Sequence, residues 1–179
     1  KKNTIDPEKM IENYGADAVR LFILSDSPPE KDVQWSEQGM TSSYKFIQKF
    51  WTLHEKIKSK DLLNKEYKLN DTDIQIERFT NQIINRINGN LERFGYNVIV
   101  ANLHEIYNFF NKVIENSSLN INLIENYSKI LKVMIPIVPH LASECLNEVA
   151  PNNTISWPEV NKKYLEDTKY NIVVQINGK

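Results

Sequence analysis

Apolar side chains recur at every third or fourth position over most of this 179-residue chain, the spacing of one face of an α-helix. The clearest repeat predicts a long helix from Ser42 to about Lys60. It has a continuous apolar face and a separate basic face, so the helix is amphipathic. The apolar face contains Phe46, Ile47, Phe50, Trp51, Leu53 and Ile57, and the basic face contains Lys45, Lys49, Lys56 and Lys60.

Two further amphipathic helices follow a charged connector. The polar run 70–73 suits a helix N-terminus, and Asp71 and Asp73 are therefore predicted to be capping residues. Gly95 is predicted to separate the two helices. The first has an apolar stripe of Ile76, Phe79, Ile83, Ile87 and Leu91 and a basic stripe of Arg78, Arg86 and Arg93. The second carries Val98, Ile99, Leu103, Ile106, Phe110, Val113 and Ile114.

Prolines divide the last long helical pattern. The pattern covers 123–149, and Pro136 and Pro139 must kink or split it because each lacks a backbone donor. Trp157-Pro158 is predicted to pin the following segment onto the bundle. The apolar run 172–176 then predicts a β-strand. A lone strand has no partner here, so we expect it to open a further domain of a longer protein.

The first 24 residues predict two short helices joined at a glycine. Asp6 can cap the first helix, Pro7 suits its first position and Gly15 suits its end. The apolar stripe of the second helix is predicted to consist of Val19, Phe22 and Ile23.

These elements predict an all-α fold. Four or five amphipathic helices with short connections bury their apolar stripes most simply in an antiparallel helix bundle, followed by a short C-terminal β-strand. Hydrophobic residues make up 41% of the chain and charged residues 25%, which are ordinary globular values. No run approaches 18 apolar residues, so we expect no membrane-spanning helix.

The titratable residues do not indicate a catalytic or metal site. The only imidazoles and thiol are those of His54, His104, His140 and Cys145, and their spacing fits no metal-ligand pattern. We expect Cys145 to be a buried small hydrophobe, and His140 to cap the final helix or to hold its neighbours by hydrogen bonds. No glycine-rich phosphate loop is present either. We therefore expect no metal and no catalysis from this chain alone.

The basic stripes are the remaining candidates for function. Guanidinium and ammonium groups bind phosphate, and the residues in question are Arg78, Arg86, Arg93, Lys45 and Lys49. The net charge of −1 excludes a strongly basic nucleic-acid module but allows a local basic surface. From the residue pattern alone, a solvated face partly neutralised by nearby glutamates is favoured over an RNA contact.

Several motifs, in order, resemble one family. The early ones are Asp6-Pro7, Tyr14-Gly15-Ala16-Asp17, Val19-Arg20-Leu21-Phe22 and Trp35-Ser36-Glu37. The later ones are Arg93-Phe94-Gly95-Tyr96-Asn97, Pro136 with Pro139-His140-Leu141-Ala142-Ser143-Glu144, and Trp157-Pro158 followed by Val173-Val174-Gln175-Ile176-Asn177-Gly178-Lys179. Together they are similar to the region after the KMSKS loop of class I aminoacyl-tRNA synthetases. The ending resembles the leucyl enzymes of bacterial type.

The resemblance implies a fragment of a longer ligase. Residues 1–40 would be linking helices after the KMSKS loop, 41–157 the helical anticodon-binding bundle, and 158–179 an exit segment with the first strand of a truncated C-terminal domain. Lys1, Lys2 and Asn3 would be the tail of the ATP loop. The parent enzyme would use ATP and Mg to charge tRNA(Leu), whereas the fragment itself would bind no cofactor.

The resemblance also implies partners and leaves alternatives open. The bundle would contact the backbone of tRNA(Leu), support the catalytic and C-terminal domains of the same chain, and lie in the cytoplasm, away from membranes. The equivalent domain of an isoleucyl- or valyl-tRNA synthetase is one alternative. A helical protein-interaction scaffold with no RNA role is another, and a complete small enzyme is a third.

Overall fold

A computed structural model describes residues 5–26, 31, 33–59, 71–116, 121–152 and 156–165. All regular secondary structure in these residues is helical. The all-α prediction is confirmed for this part of the chain, while the predicted strand at 172–176 and Lys1, Lys2 and Asn3 lie outside it. The helices are α1 (Pro7–Tyr14), α2 (Ala16–Asp26), α3 (Glu37–Lys58), α4 (Asp71–Glu92), α5 (Tyr96–Asn116), α6 (Ile121–Met134), α7 (Pro139–Val149) and the short 3-10 helix η1 (Lys162–Tyr164).

The ends of α1 follow local rules. The Asp6 side chain accepts a hydrogen bond from the backbone N–H of Glu8 at 3.1 Å, and Pro7 is the first helical residue. Gly15 ends the helix at φ 82°, a conformation that glycine adopts without a steric penalty. Its N–H donates to the carbonyl of Ile11 at 2.8 Å. All three predicted roles are confirmed.

The buried face of α2 differs from the predicted one. The structure buries Ala18, Leu21 and Phe22, whereas Ile23 is 49% exposed, so the predicted stripe was wrong at that position. Two overlapping sets of apolar residues on α2 both have helical spacing, so periodicity alone does not choose between them. Packing of α2 against both α3 and α5 makes the choice.

The core is formed by the apolar stripes of α3 to α7. At its centre the rings of Phe110 and Tyr127 lie 5.5 Å apart, and Phe50 stacks on Tyr127 at 6.4 Å. All three side chains are fully buried. The prolines separate α6 from α7 as predicted. Buried members of the predicted α3 and α4 stripes are Phe46, Phe50, Leu53, Ile57, Ile76, Ile83 and Ile87.

A buried polar seam joins α4 to α6. The Nδ2 of Asn122 donates to Oδ1 of Asp73 at 3.3 Å, and the Nδ2 of Asn126 donates to Oε1 of Glu77 at 2.8 Å. Asp73 is fully buried in the first turn of α4, which the predicted capping role did not indicate. The reason is that α6 supplies amide donors to its carboxylate, and burial of a hydrogen-bonded carboxylate carries a much smaller penalty.

The exit segment lies along α4. The indole N–H of Trp157 donates to Oδ1 of Asn88 at 2.9 Å, and the backbone N–H of Asn161 donates to Oδ1 of Asn81 at 2.7 Å. Pro158 is buried between these two anchors. The prediction that Trp157-Pro158 pins this segment to the bundle is confirmed.

One carboxylate of α2 caps α7. The N-cap residue of α7, Val138, makes no side-chain capping bond. Asp17 supplies it instead, because its Oδ2 accepts from the N–H of Leu141 at 2.7 Å and its Oδ1 accepts from Nδ1 of His140 at 2.9 Å. Asp17 is only 6% exposed. The structural role predicted for His140 is confirmed, with its partner more than 120 residues earlier in the chain.

Arg20, one turn further along α2, holds the connection between α6 and α7. Its Nη2 donates to the carbonyl of Pro136 at 2.7 Å, and its Nε donates to the carbonyl of Ile137 at 3.1 Å. These carbonyls belong to the turn between the two helices, and the donors of Arg20 stabilise that turn by satisfying them. Asp17 and Arg20 thus fix α2 to the turn that the two prolines create.

A chain of polar groups crosses from the core to the surface. Nδ1 of the fully buried His54 lies 3.3 Å from the hydroxyl of Tyr127, and its Nε2 lies 2.7 Å from Oε2 of Glu148. Nζ of Lys58 lies 3.0 Å from carboxylate oxygens of both Glu148 and Glu55. His54, Glu55 and Glu148 are close enough together to hold a metal ion. The ammonium group of Lys58 already pairs with the carboxylates of both Glu55 and Glu148.

This network predicts an acid-sensitive contribution to stability. The hydrogen bond from His54, and then that from Lys58, lowers the pKa of Glu148. A depressed carboxyl pKa stabilises the fold above the ordinary glutamate value, and this contribution is lost as the pH falls through the folded-state value. We expect Glu148→Gln to flatten the decline of Tm between about pH 5 and pH 3. Parallel declines for wild type and variant, with Glu12→Gln on α1 as control, would contradict this.

The same network has an alkaline limit. The bonds to Glu148 and Glu55 raise the pKa of Lys58. A raised lysine pKa stabilises the fold below the ordinary lysine value and is lost as the pH rises through the folded-state value.

Cys145 is fully buried on α7, as predicted. Burial raises the pKa of its thiol to about 12. Since only the thiolate is nucleophilic, the folded chain holds this thiol in an unreactive form.

Candidate nucleic-acid interface

The predicted basic residues divide between two helices. Lys45 and Lys49 are exposed on α3, one turn apart on the same side of the helix. Arg86 is exposed on α4, and Arg93 is exposed in the turn that follows Glu92. Arg78 is half-buried, because eight residues of helix turn it about 80° away from Arg86. The three arginines therefore do not present one equally exposed stripe.

The helix α5 lies between the two basic stripes. His104 packs against α3, with its ring 4.4 Å from that of Phe46. Burial, and then the nearby ammonium of Lys49, lowers the pKa of His104. On the next position of α5, Oε1 of Glu105 accepts from Nη2 of Arg86 at 2.7 Å. The exposed side of α5 thus has an α3 lysine at one edge and an α4 arginine at the other.

These contacts define one continuous surface, which we name the three-helix face: Lys45, Lys49, His104, Glu105 and Arg86. Adjacent packed helices lie about 8–10 Å apart, so the basic edges are separated by roughly two such spacings. The face carries three exposed cations and one exposed carboxylate. The lowered pKa of His104 keeps its imidazole neutral at neutral pH, as a hydrogen-bonding group.

Arg93 lies beyond this face, at the end of α4. Its Nε donates to the carbonyl of Gly89 at 2.9 Å. The next residue, Phe94, is 60% exposed and has φ 55°, in the left-handed region that bulky residues rarely adopt. The α4–α5 turn therefore displays an arginine and an exposed aromatic ring, but nothing in the described residues links it to Lys45 and Lys49.

Two cations were missed in the sequence analysis. Lys162 and Lys163 are exposed on η1, which packs on α4. Leu165, at the end of η1, lines a cavity of about 300 Å³ together with Gln82, Asn85 and Arg86. The pair of adjacent lysines was visible in the sequence. Its position beside α4 depends on the distant anchors of the exit segment, which no local pattern indicates.

The larger cavity of the described residues does not fit the triphosphate of the ATP that the resemblance implies for a longer enzyme. The larger cavity, of about 790 Å³, is lined by the carboxylates Asp17 and Glu144, which would repel a triphosphate. Guanidinium and ammonium groups spread over an open face instead suit the separate phosphates of a nucleic-acid backbone. Among the described helices, none is long and apolar enough to cross a membrane.

Comparison with known proteins gives consistent matches. The family model described as "Anticodon-binding domain of tRNA ligase" matches residues 73–179. The whole chain is 36% identical to part of leucine–tRNA ligase of Petrotoga mobilis (strain DSM 10674 / SJ95), covering 23% of that protein. It is 33% identical to part of the same ligase of Bartonella tribocorum (strain CIP 105476 / IBS 506), covering 21%. The chain thus spans about a fifth of the length of these relatives.

A solved structure shares the fold. It is the crystal structure of the Agrobacterium radiobacter K84 agnB2 LeuRS in a ternary complex with tRNA and LeuAMS. The match has a TM-score of 0.76 at 20% identity and covers 92% of this chain and 22% of that one. With more than half of the residues matched by the family model and the same helical architecture, the chain belongs to the anticodon-binding domain family of tRNA ligases.

Proposed function

We propose that this chain is the tRNA-binding helical region of a leucine–tRNA ligase, and that its three-helix face contacts the backbone of tRNA(Leu). The longer enzyme would join leucine to this tRNA at the expense of ATP, in the cytoplasm. The observation that carries the proposal is the placement of Lys49 and Arg86 at opposite edges of the exposed side of α5. The relatives support leucine over isoleucine or valine, since they are leucine–tRNA ligases.

The chemistry of the face favours backbone contacts over base reading. Lysine ammonium groups are point charges that bind phosphate without selecting a base. Arg86 already donates from Nη2 to Glu105, so fewer of its donors are available for a paired contact with a base edge. The Asp17 and Arg20 bonds would make α1 and α2, which resemble the segment after the ATP loop, move with this bundle. The division at 1–40, 41–157 and 158–179 stays a prediction.

The test is a filter-binding titration of the chain with leucine tRNA across salt concentration. Each phosphate contact adds about 0.9 to the slope of log K against log salt. We expect Lys49→Gln and Arg86→Gln each to reduce the slope by about one unit or less, while Lys9→Gln on α1 leaves it unchanged. Undetectable or salt-independent binding at low salt would favour the protein-interaction scaffold.

Neutralising Glu105 is expected to strengthen tRNA binding. Its carboxylate lies 2.7 Å from Arg86 and is 44% exposed, so it competes with phosphate for the guanidinium and repels the backbone. We expect Glu105→Gln to tighten binding about two- to fivefold at low salt, as for one partly screened surface charge. Glu115→Gln, further along α5, is the matched control. Unchanged or weaker binding of Glu105→Gln would place the RNA elsewhere.

A further inference from the structure

A large open cavity lies beside the lysines of α3. It has a volume of about 790 Å³, within the range of ligand sites, and it is lined by the α1–α2 junction, α3 and α7. Its apolar wall includes Tyr14, Ile47 and Trp51. The indole of Trp51 is half-buried, so part of this ring faces the cavity.

The polar groups of the cavity are mainly hydrogen-bond acceptors. Glu144 lines it and is exposed, so its carboxylate is accessible. Nδ1 of His140 lies 2.9 Å from the Asp17 carboxylate, so only Nε2 of this ring is left for a ligand, and Nε2 is an acceptor in the tautomer that carries its proton on Nδ1. The Thr52 hydroxyl donates to the carbonyl of Gln48 at 3.0 Å and so presents its oxygen as an acceptor. Such walls suit a ligand that donates hydrogen bonds.

The mouth of the cavity adjoins a basic rim. Gln48 and Thr52 line the cavity from α3, and they alternate along the helix with the exposed Lys45, Lys49 and Lys56. Phosphate is attracted to this rim, but the carboxylates of Asp17 and Glu144 exclude it from the interior. A nucleotide has the matching polarity, with an anionic backbone and a flat, uncharged base.

From these contacts we infer that the cavity binds one unstacked RNA base that carries an exocyclic amino group, while the adjoining phosphates lie on the α3 lysines. Trp51 offers the aromatic surface for stacking, and Glu144 accepts from the amino group, as carboxylates do from N4 of cytosine. Uracil has a carbonyl at that position, which would face the carboxylate without a donor. The inference rests on the proposed RNA contact and adds a base preference to it.

The test compares two pyrimidine oligonucleotides that differ at this position. Labelled oligocytidylate and oligouridylate, each eight residues long, are titrated with the 179-residue chain by fluorescence anisotropy. We expect oligocytidylate to bind about five- to tenfold more tightly. Glu144→Gln should remove most of this preference, and Glu159→Gln, an exposed carboxylate away from the cavity, should retain it. Lys49→Gln should weaken both oligonucleotides by the same factor.

Each outcome has a distinct meaning. Equal binding of the two oligonucleotides, or a preference that survives in Glu144→Gln, overturns the base site and leaves the proposed backbone contact intact. No binding of either oligonucleotide or of leucine tRNA overturns both. Glu144 is exposed, so its substitution should leave the helical circular dichroism unchanged, which separates lost recognition from lost folding.

Discussion

Asp17→Ala is expected to destabilise the fold by about 2–4 kcal/mol, a large share of the stability of an ordinary domain. The buried carboxylate accepts from the N–H of Leu141 and from His140, and it provides the N-terminal cap that Val138 does not. Its removal leaves the buried N–H of Leu141 without its partner, which costs more than the loss of an exposed hydrogen bond. Urea unfolding with a common m-value measures the difference.

The matched control is Asp6→Ala at the N-terminus of α1. Asp6 is also a helix-capping aspartate, but it is exposed and belongs to the helix that it caps. We expect its replacement to cost about 1 kcal/mol or less. Equal losses for the two variants would show that the long-range cap between α2 and α7 adds nothing beyond an ordinary local cap.

Phe110→Ala is expected to destabilise the fold by about 3–5 kcal/mol. Phe110 is fully buried, and its ring lies 5.5 Å from Tyr127 and 6.4 Å from Phe79. Removal of the ring therefore loses buried apolar surface and leaves a cavity at a point where three helices meet. The free energy of unfolding in urea gives the measurement, and a smaller loss would mean that the neighbouring helices close the gap.

Phe94→Ala is the control for this cavity effect. Phe94 is 60% exposed, and its removal leaves no void in the core. We expect its free energy of unfolding to stay within about 0.5 kcal/mol of the wild-type value. If both phenylalanine variants lost the same amount, burial could not be the cause of the effect at Phe110.

Features set by neighbouring residues were predictable from the sequence. Asp6, Pro7 and Gly15 define the ends of α1 through their own backbone preferences and short side-chain reach. Pro136 and Pro139 separate α6 from α7 for an equally local reason, the missing backbone donors. The apolar stripes of α3 and α4 were predictable because each helix has one clearly dominant apolar side.

Features set by distant partners were not predictable. Ile23 belongs to an apolar set as regular as the buried one, and only the positions of α3 and α5 decide between them. Asp73 is a residue type typical of helix caps, but its burial depends on α6, where Asn122 donates a hydrogen bond to its carboxylate. The hydrogen bond that Asp17 accepts from His140 joins residues that no helical period relates, although both lie in the motifs that carry the family resemblance.

The candidate site shows the same limit. The sequence identified Lys49 and Arg86 as cations on two helices, but only the packing of α5 between them makes one surface. Without the packing of these helices, the sequence pattern alone favours a solvated face for these charges. No local pattern distinguishes Lys162 and Lys163, because their position beside α4 is fixed by hydrogen bonds between residues far apart in the chain.

Mass-spectrometric footprinting of lysines tests the central claim most directly. The chain is acetylated briefly with and without leucine tRNA, and the modification of each lysine is compared. We expect the tRNA to protect Lys45 and Lys49 severalfold and to leave Lys9, exposed on α1, modified as before. Equal modification of all three lysines with the tRNA bound, or protection of Lys9 alone, would contradict the proposed contact between the three-helix face and the tRNA backbone.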